Sequence, residues 1–228
     1  MNVIEIKNLK KIYNSSEVKV NALNGIDLDI TEGEFTAIVG PSGSGKTTFL
    51  NMLGGLDSPT EGEISIGGTN IQNLSSSELI DFRLRNIGFV FQAYNLIPVL
   101  TALENVEFIM QMQGIQKKER EQRARELLTN VGLSERINSR PGKLSGGQQQ
   151  RVAVARALAS KPKFVLADEP TANLDSKSTE NLLDIMEDLN RKENITFIFS
   201  THDQRVVNKA HRVITIEDGK VISDIRKN

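Results

Sequence analysis

The chain has 228 residues, 38% apolar and 25% charged, with 17 glycines and no cysteine or tryptophan, a composition that suits a folded domain with one sizeable core. Its 28 basic and 29 acidic residues leave a net charge of −1, which argues against holding nucleic acid or acidic lipid by bulk charge. The lack of cysteine excludes a thiolate zinc site or a redox dithiol, and no run of about 18 apolar residues is present to span a bilayer.

From the amino terminus, Met1 to Lys11 alternates apolar and charged residues and lacks the apolar stretch of a secretory signal, so a cytoplasmic location is expected. Ile4 to Ile6, Ile26 to Ile30, Phe35 to Val39 and Glu63 to Ile66 read as short strands, the last followed by a Gly67-Gly68 turn. After Ser75 the pattern turns helical, and Ile87 to Phe91 is a further strand-like run. Ala124, Leu127, Leu128 and Val131 recur at helical spacing, with Glu119/Arg123 and Glu121/Arg125 as i,i+4 pairs, in an amphipathic helix that Gly132 closes. Phe164 to Ala167 and Ile195 to Phe199 are near-continuous apolar runs of the kind found in buried parallel strands. Between them lies a helix with Leu182, Met186 and Leu189 on one face; His211 reads as a structural residue in a helical-looking stretch, and Asp218-Gly219 turns a final hairpin. The expected fold is an α/β nucleotide-binding core from residues 1–91 and 161–228, with a mainly helical insertion over 92–160.

Gly40-Pro41-Ser42-Gly43-Ser44-Gly45-Lys46-Thr47 fits the P-loop pattern and follows an apolar strand, as the mechanism requires. Its glycines let backbone N–H groups curl around phosphate oxygens, the next helix points its positive end at them, Lys46 reaches the terminal phosphates and Thr47 offers a hydroxyl to Mg²⁺. Asp168 and Glu169 end a later apolar strand, where successive residues point different ways. Asp168 is the natural Mg²⁺ partner beside Thr47, and Glu169 is placed to orient or deprotonate an attacking water. His202 follows the next strand, at the sheet edge where ligands bind, as a hydrogen-bond donor to the γ-phosphate. Gln92, after the Ile87 to Phe91 run, is placed to reach either Mg²⁺ or the water.

Leu144-Ser145-Gly146-Gly147-Gln148 opens another helix. Ser145 and Gln148 form a capping box, and Gly146 and Gly147 leave the first amides bare, so this end attracts an anion. The P-loop already holds the phosphates from one side, so this start reads as a clamp from the other.

In this order, Gly40 to Thr47, Gln92, Leu144 to Gln148, Asp168-Glu169, Asn173-Leu174-Asp175 and His202 resemble the ATP-binding cassette (ABC) ATPases over essentially the whole chain. Leu166 to Asp175 and Phe89 to Pro98, with Thr101 to Val106, are similar to the LolD/MacB/FtsE branch; Ala172 departs from it, where glycine is frequent. The resemblance implies an ABC ATPase fold: a P-loop NTPase (RecA-like) core, an antiparallel β subdomain and a helical subdomain carrying the signature motif. It also implies a head-to-tail homodimer holding two MgATP, each between one subunit's P-loop and the other's Ser145 helix start. Tyr13 then matches the adenine-stacking aromatic, Thr48 joins the nucleotide contacts, and Asp175 matches the aspartate that touches the neighbouring subunit. Tyr94 to Leu100 matches the groove for a coupling helix of an integral membrane permease of the MacB/LolCE/FtsX type. A soluble ABC ATPase of DNA repair, translation or iron–sulfur assembly is the rival reading, disfavoured by the single compact cassette without a heptad insertion or basic tail. A P-loop phosphotransferase would have no use for the Ser145 helix start.

Overall fold

The computed structural model describes residues 1–14 and 19–227. Two sheets organise it. The first is antiparallel, built from β1 (Asn2–Tyr13), β2 (Val20–Thr31), β4 (Glu61–Ile66) and the short β5 (Thr69–Asn70) in the order β2-β1-β4-β5. The second has six strands: β3 (Phe35–Val39), β6 (Ile87–Phe91), β7 (Phe164–Asp168), β8 (Thr196–Ser200), β9 (Arg212–Glu217) and β10 (Lys220–Arg226). Their order is β10-β9-β3-β8-β7-β6, parallel except for the β9-β10 hairpin. The hairpin turns at Asp218 and Gly219, whose φ values of 47° and 72° are those of the tight turn expected from this dipeptide.

Strand alternation divides the interior in two. Phe35, Val165, Ala167, Phe197 and Phe199 point into one core, shared with the helices, while Ile38, Phe164, Leu166 and Ile198 point into the other, shared with the antiparallel sheet. Among the described residues there are seven α-helices: α1 (Lys46–Leu53), α2 (Ser76–Asn86), α3 (Ala102–Met112), α4 (Lys117–Asn130), α5 (Gly146–Ala159), α6 (Ser176–Glu193) and α7 (Gln204–Lys209). Three of them, α3 to α5, lie between β6 and β7. No helix among the described residues is long and apolar enough to cross a membrane.

Sequence and structure differ in detail. The first two strands are far longer than their apolar kernels, and the extension carries Tyr13 to the end of β1. Glu121 and Arg125 pair at 2.8 Å, but Arg123 turns from Glu119 to Glu193 at the end of α6, 4.0 Å away. His211 is not helical: α7 ends at Lys209, and the His211 ring lies beside Phe35, 5.9 Å between centroids, where the chain enters β9.

Candidate functional site: a phosphate cleft at the sheet's carboxyl edge

The parallel register aligns Ile38, Ser200, Asp168 and Phe91 in one row across β3, β8, β7 and β6. The loops that follow these strands therefore emerge side by side, at the edge where open α/β sheets bind ligands. Next along the chain come Gly40, Thr201 with His202, Glu169 and Gln92. This is why four segments far apart in sequence reach the same edge of the sheet.

At β3 the chain leaves through Gly40, with φ 151°, against the neighbouring strand: a Cβ there would sit 2.0 Å from the Ile216 carbonyl. Only glycine fits so close an approach. Helix α1 starts at Lys46 after Gly45, and no side chain caps it. Its first amides are free for an anion and carry the positive end of the helix. Lys46 Nζ donates to the Gly40 and Pro41 carbonyls, 2.9 Å each, curled over its own loop. A cleft of about 390 Å³ lies over this loop, lined by Tyr13, Ser42, Gly43, Lys46, Thr47 and Glu169 among others; Thr48 and Ser200 complete its wall. Ser44 Oγ is buried without a partner inside the loop.

Asp168 and Glu169 are held differently. Burial pushes the Asp168 carboxyl above its ordinary range, with Glu169 adding to the rise against a hydrogen bond from Ser200 and the charge of Lys46. One of its oxygens, Oδ1, is buried and has no partner. An orphaned carboxylate oxygen together with a hydroxyl at Thr47 is a hard oxygen donor set, which fits Mg²⁺. Glu169 adopts φ +46°, an uncommon conformation for a non-glycine residue and one that recurs at functional sites. Its Oε1 lies 2.7 Å from His202 Nδ1, and its Oε2 accepts from Thr201 Oγ1 at 3.2 Å. The His202 side chain is 77% exposed, so Nε2 is left to face solvent or a ligand.

Asp168 and His202 stand beside the cleft rather than in its wall, and the remaining predicted site residues lie outside it as well. Gln92 is exposed; its carbonyl accepts from Asn173 Nδ2 at 3.0 Å, and its side chain does not line the cleft. Ser145 caps α5 as expected, its Oγ accepting from Gln148 N at 3.3 Å while Gln148 Oε1 accepts from Ser145 N at 2.9 Å. Gly146 packs close under Tyr94, where a Cβ would come within 2.6 Å of Oη. None of Ser145 to Gln148 lines the cleft. Asp175 caps α6, accepting from Ser178 N at 2.9 Å and from Ser178 Oγ at 2.7 Å, and these bonds hold its carboxyl below the ordinary range. Ala172 is not among the positive-φ residues, so alanine suits the backbone there.

Leu96 packs on the core, Asn105 Oδ1 accepts from Ile97 N, and Arg156 Nη2 donates to the Tyr94 carbonyl, so the Tyr94 to Leu100 segment is tied down. Beside it runs an apolar groove of about 330 Å³, with Ile80, Leu84, Phe89, Phe91, Ile109 and Met112 in its wall. Sequence reasoning also missed Thr201, Ser200, Lys11 and Asp57, which support the site through tertiary contacts alone.

A protein-family model described as ABC transporter matches residues 23–172, about two thirds of the chain. The chain belongs to the ABC transporter family. Within this family its fold is that of the ABC ATPase. It is 44% identical over 222 residues to the lipoprotein-releasing system ATP-binding protein LolD of Geobacter metallireducens, covering 97% of this chain and 99% of that one. It is 49% identical over 222 residues to the macrolide export ATP-binding/permease protein MacB of Hyphomonas neptunium; the match covers 97% of this chain and 34% of that longer protein. Among solved structures it is similar to a dimeric post-hydrolysis state of the ATP-binding cassette MJ0796 of Methanocaldococcus jannaschii, bound to ADP and Pi. That match has a TM-score of 0.89 at 44% identity and covers 99% of both chains.

Proposed function

We propose that this ABC ATPase is the energising subunit of a membrane transporter, working as an ATP-dependent head-to-tail homodimer beneath a separate permease of the MacB/LolCE/FtsX type. The work delivered is lipoprotein release, peptide or drug export, or mechanical transmission across the membrane. The subunit is cytoplasmic and peripheral, held at the membrane through the permease. The observation that carries this reading is the separation of two anion-binding ends: the bare start of α1 lines the cleft, and the glycine-bare start of α5 does not. One chain thus supplies two unlike half-sites, which a second copy turned head to tail would complete. The relatives named LolD and MacB favour this branch, and the groove at Ile80 and Met112 is the surface a permease helix would fill.

In this reading the α1 amides and Lys46 bind the phosphates, Lys46 giving up its two loop carbonyls to do so. Tyr13 stacks on the base. Thr47 and Asp168 would hold Mg²⁺, with Gln92 toward the ion or the water, and the ion would supply charge neutralisation on the phosphates. Glu169 orients the attacking water and accepts its proton. His202 Nδ1 holds Glu169 Oε1. With Glu169 ionised, Nδ1 carries the hydrogen, so His202 donates to a phosphate through Nε2 only as an imidazolium. ATP closes the dimer because its phosphates complete both half-sites, and hydrolysis breaks that link.

The test is Glu169→Gln, which keeps shape and removes the base: turnover falls by about 10² to 10⁴ while MgATP binding persists. Sedimentation of that variant with saturating MgATP gives a dimer, and adding Ser145→Arg returns it to monomer. A strictly monomeric Glu169→Gln protein, with or without its permease, refutes the shared-site reading.

A further inference from the structure

Tyr13 stands at the end of β1, where an aromatic ring on its own would swing through several rotamers. It is held instead from outside the cleft. Its Oη donates to Asp57 Oδ2 at 2.8 Å, and the Lys11 ammonium lies 4.9 Å from the ring centroid. Lys11 Nζ also donates to Asp57 Oδ1 and to the Ser58 carbonyl, both at 2.7 Å, and its side chain is only 12% exposed. Asp57 is fixed in turn by Ser58 N, at 2.7 Å. Neither Lys11 nor Asp57 lines the cleft, whereas Tyr13 does, so the ring in the cleft wall is held by groups outside it.

The anchoring segment belongs to the phosphate-binding unit. Asp57 to Thr60 follows α1, and two more bonds sew it to β1: Ile12 N donates to Thr60 Oγ1 at 3.0 Å, and Thr60 N donates to the Lys10 carbonyl at 2.8 Å. Helix α1 therefore presents bare amides to the phosphates at one end and, beyond its other end, holds the strand that carries the ring. Ordinary exposed ion pairs contribute little. This pair differs in that both members also engage Tyr13. The local electrostatics agree: burial and the bond to Asp57 push the Tyr13 phenol up against a pull down from Thr48, while the Asp57 carboxyl, despite its own burial, is held low by Lys11 and Tyr13.

We infer that Lys11 and Asp57 are positioning residues for nucleobase recognition: they lock Tyr13 as a preformed stacking platform and set its distance from the phosphate loop. This deepens the proposed function and rests on it. The phenol oxygen is engaged by Asp57, so the platform offers the base a flat ring and takes its selectivity from stacking.

The experiment compares two ligands that share phosphates and differ in the base, MgATP and magnesium tripolyphosphate, by titration calorimetry on the full chain. Asp57→Ala weakens MgATP binding by about five- to twenty-fold, the size of one lost base stack, and leaves tripolyphosphate affinity at the wild-type value; in hydrolysis the loss falls on KM for ATP and not on kcat. Lys11→Met, which keeps the stem and removes the cation, shows the same selective loss on a smaller scale. In a Tyr13→Ala background, Asp57→Ala adds nothing further. Equal weakening of both ligands overturns the inference, because Asp57 would then act through the fold as a whole, and so does unchanged ATP affinity. Wild-type protein that takes up neither ligand is a different failure, that of the nucleotide reading of the cleft itself.

Discussion

Asp168 sits where folding and chemistry pull in opposite directions. Its pKa is raised by burial, so the native state prefers the neutral carboxyl, and this contribution to stability is complete below about pH 4. It is lost as the pH rises through the raised native value, which leaves the ionised group a net cost at neutral pH. The orphaned Oδ1 is the structural expression of that cost. Asp168→Asn should therefore raise the thermal midpoint of the nucleotide-free protein at pH 7 by about 2–4 °C. The same change should abolish Mg²⁺-dependent hydrolysis and shrink the extra stabilisation that MgATP confers on the wild type. Differential scanning fluorimetry with and without MgATP reads both effects, and a lower midpoint for apo Asp168→Asn would show that the carboxylate is satisfied by the fold alone.

Between elements, the strongest polar join is Arg212 at the start of β9. Its side chain is 6% exposed and forks onto Asp224 of β10, with bonds of 2.8 and 2.7 Å, and onto Glu34, which precedes β3, with bonds of 3.1 and 2.9 Å; it also donates to the Asp29 carbonyl of β2 at 2.7 Å. One guanidinium thus locks the two sheets together near the amino end of β3, a geometry that Lys cannot reproduce. Arg212→Met takes the buried cation from Glu34, 11% exposed, leaving it only the exposed Arg226 at 3.2 Å, and should cost about 3 kcal/mol in urea unfolding, the low end for a broken buried pair. Burial alone would raise the Glu34 carboxyl, but hydrogen bonds from Thr31 and Arg212 outweigh it, and the Arg212 bond holds Asp224 down as well. For groups so depressed, the stability is present above their ordinary values and lost as the pH falls through their native ones, so acid should unfold the wild type only below about pH 4. Arg212→Met should already be weakened at neutral pH and show a shallower acid limb. Nothing local signals this join: Glu34 and Arg212 are 178 residues apart. The strands that flank it were legible because buried parallel strands leave continuous apolar runs, whereas β1 was read short because bulges and the left-handed Asn8, with φ 46°, break its alternation.

For the whole molecule, the P-loop, the paired acids and His202 were readable as one site because each follows a strand signal and the parallel sheet brings strand ends together. The apolar groove could not be read from the sequence because its wall is assembled from α2, β6, α3 and α5, and no single segment carries it. Ile80 and Met112 stand at its mouth, 56% and 57% exposed, an apolar pair with no reason in the subunit's own packing. The proposed function gives attachment at the bilayer to a protein partner, and this groove is the surface it assigns to that partner. Met112→Glu combined with Ile80→Glu should leave the thermal midpoint close to the wild-type value, because exposed positions shift stability by only about 0.5 kcal/mol. In cells producing the cognate permease, the tagged double variant should move from the membrane fraction to the soluble one, since a helix with an apolar face would have to bury two carboxylates to dock. The wild-type chain alone should not float with anionic vesicles. Persistent membrane fractionation of the double variant would place the permease contact elsewhere on the surface.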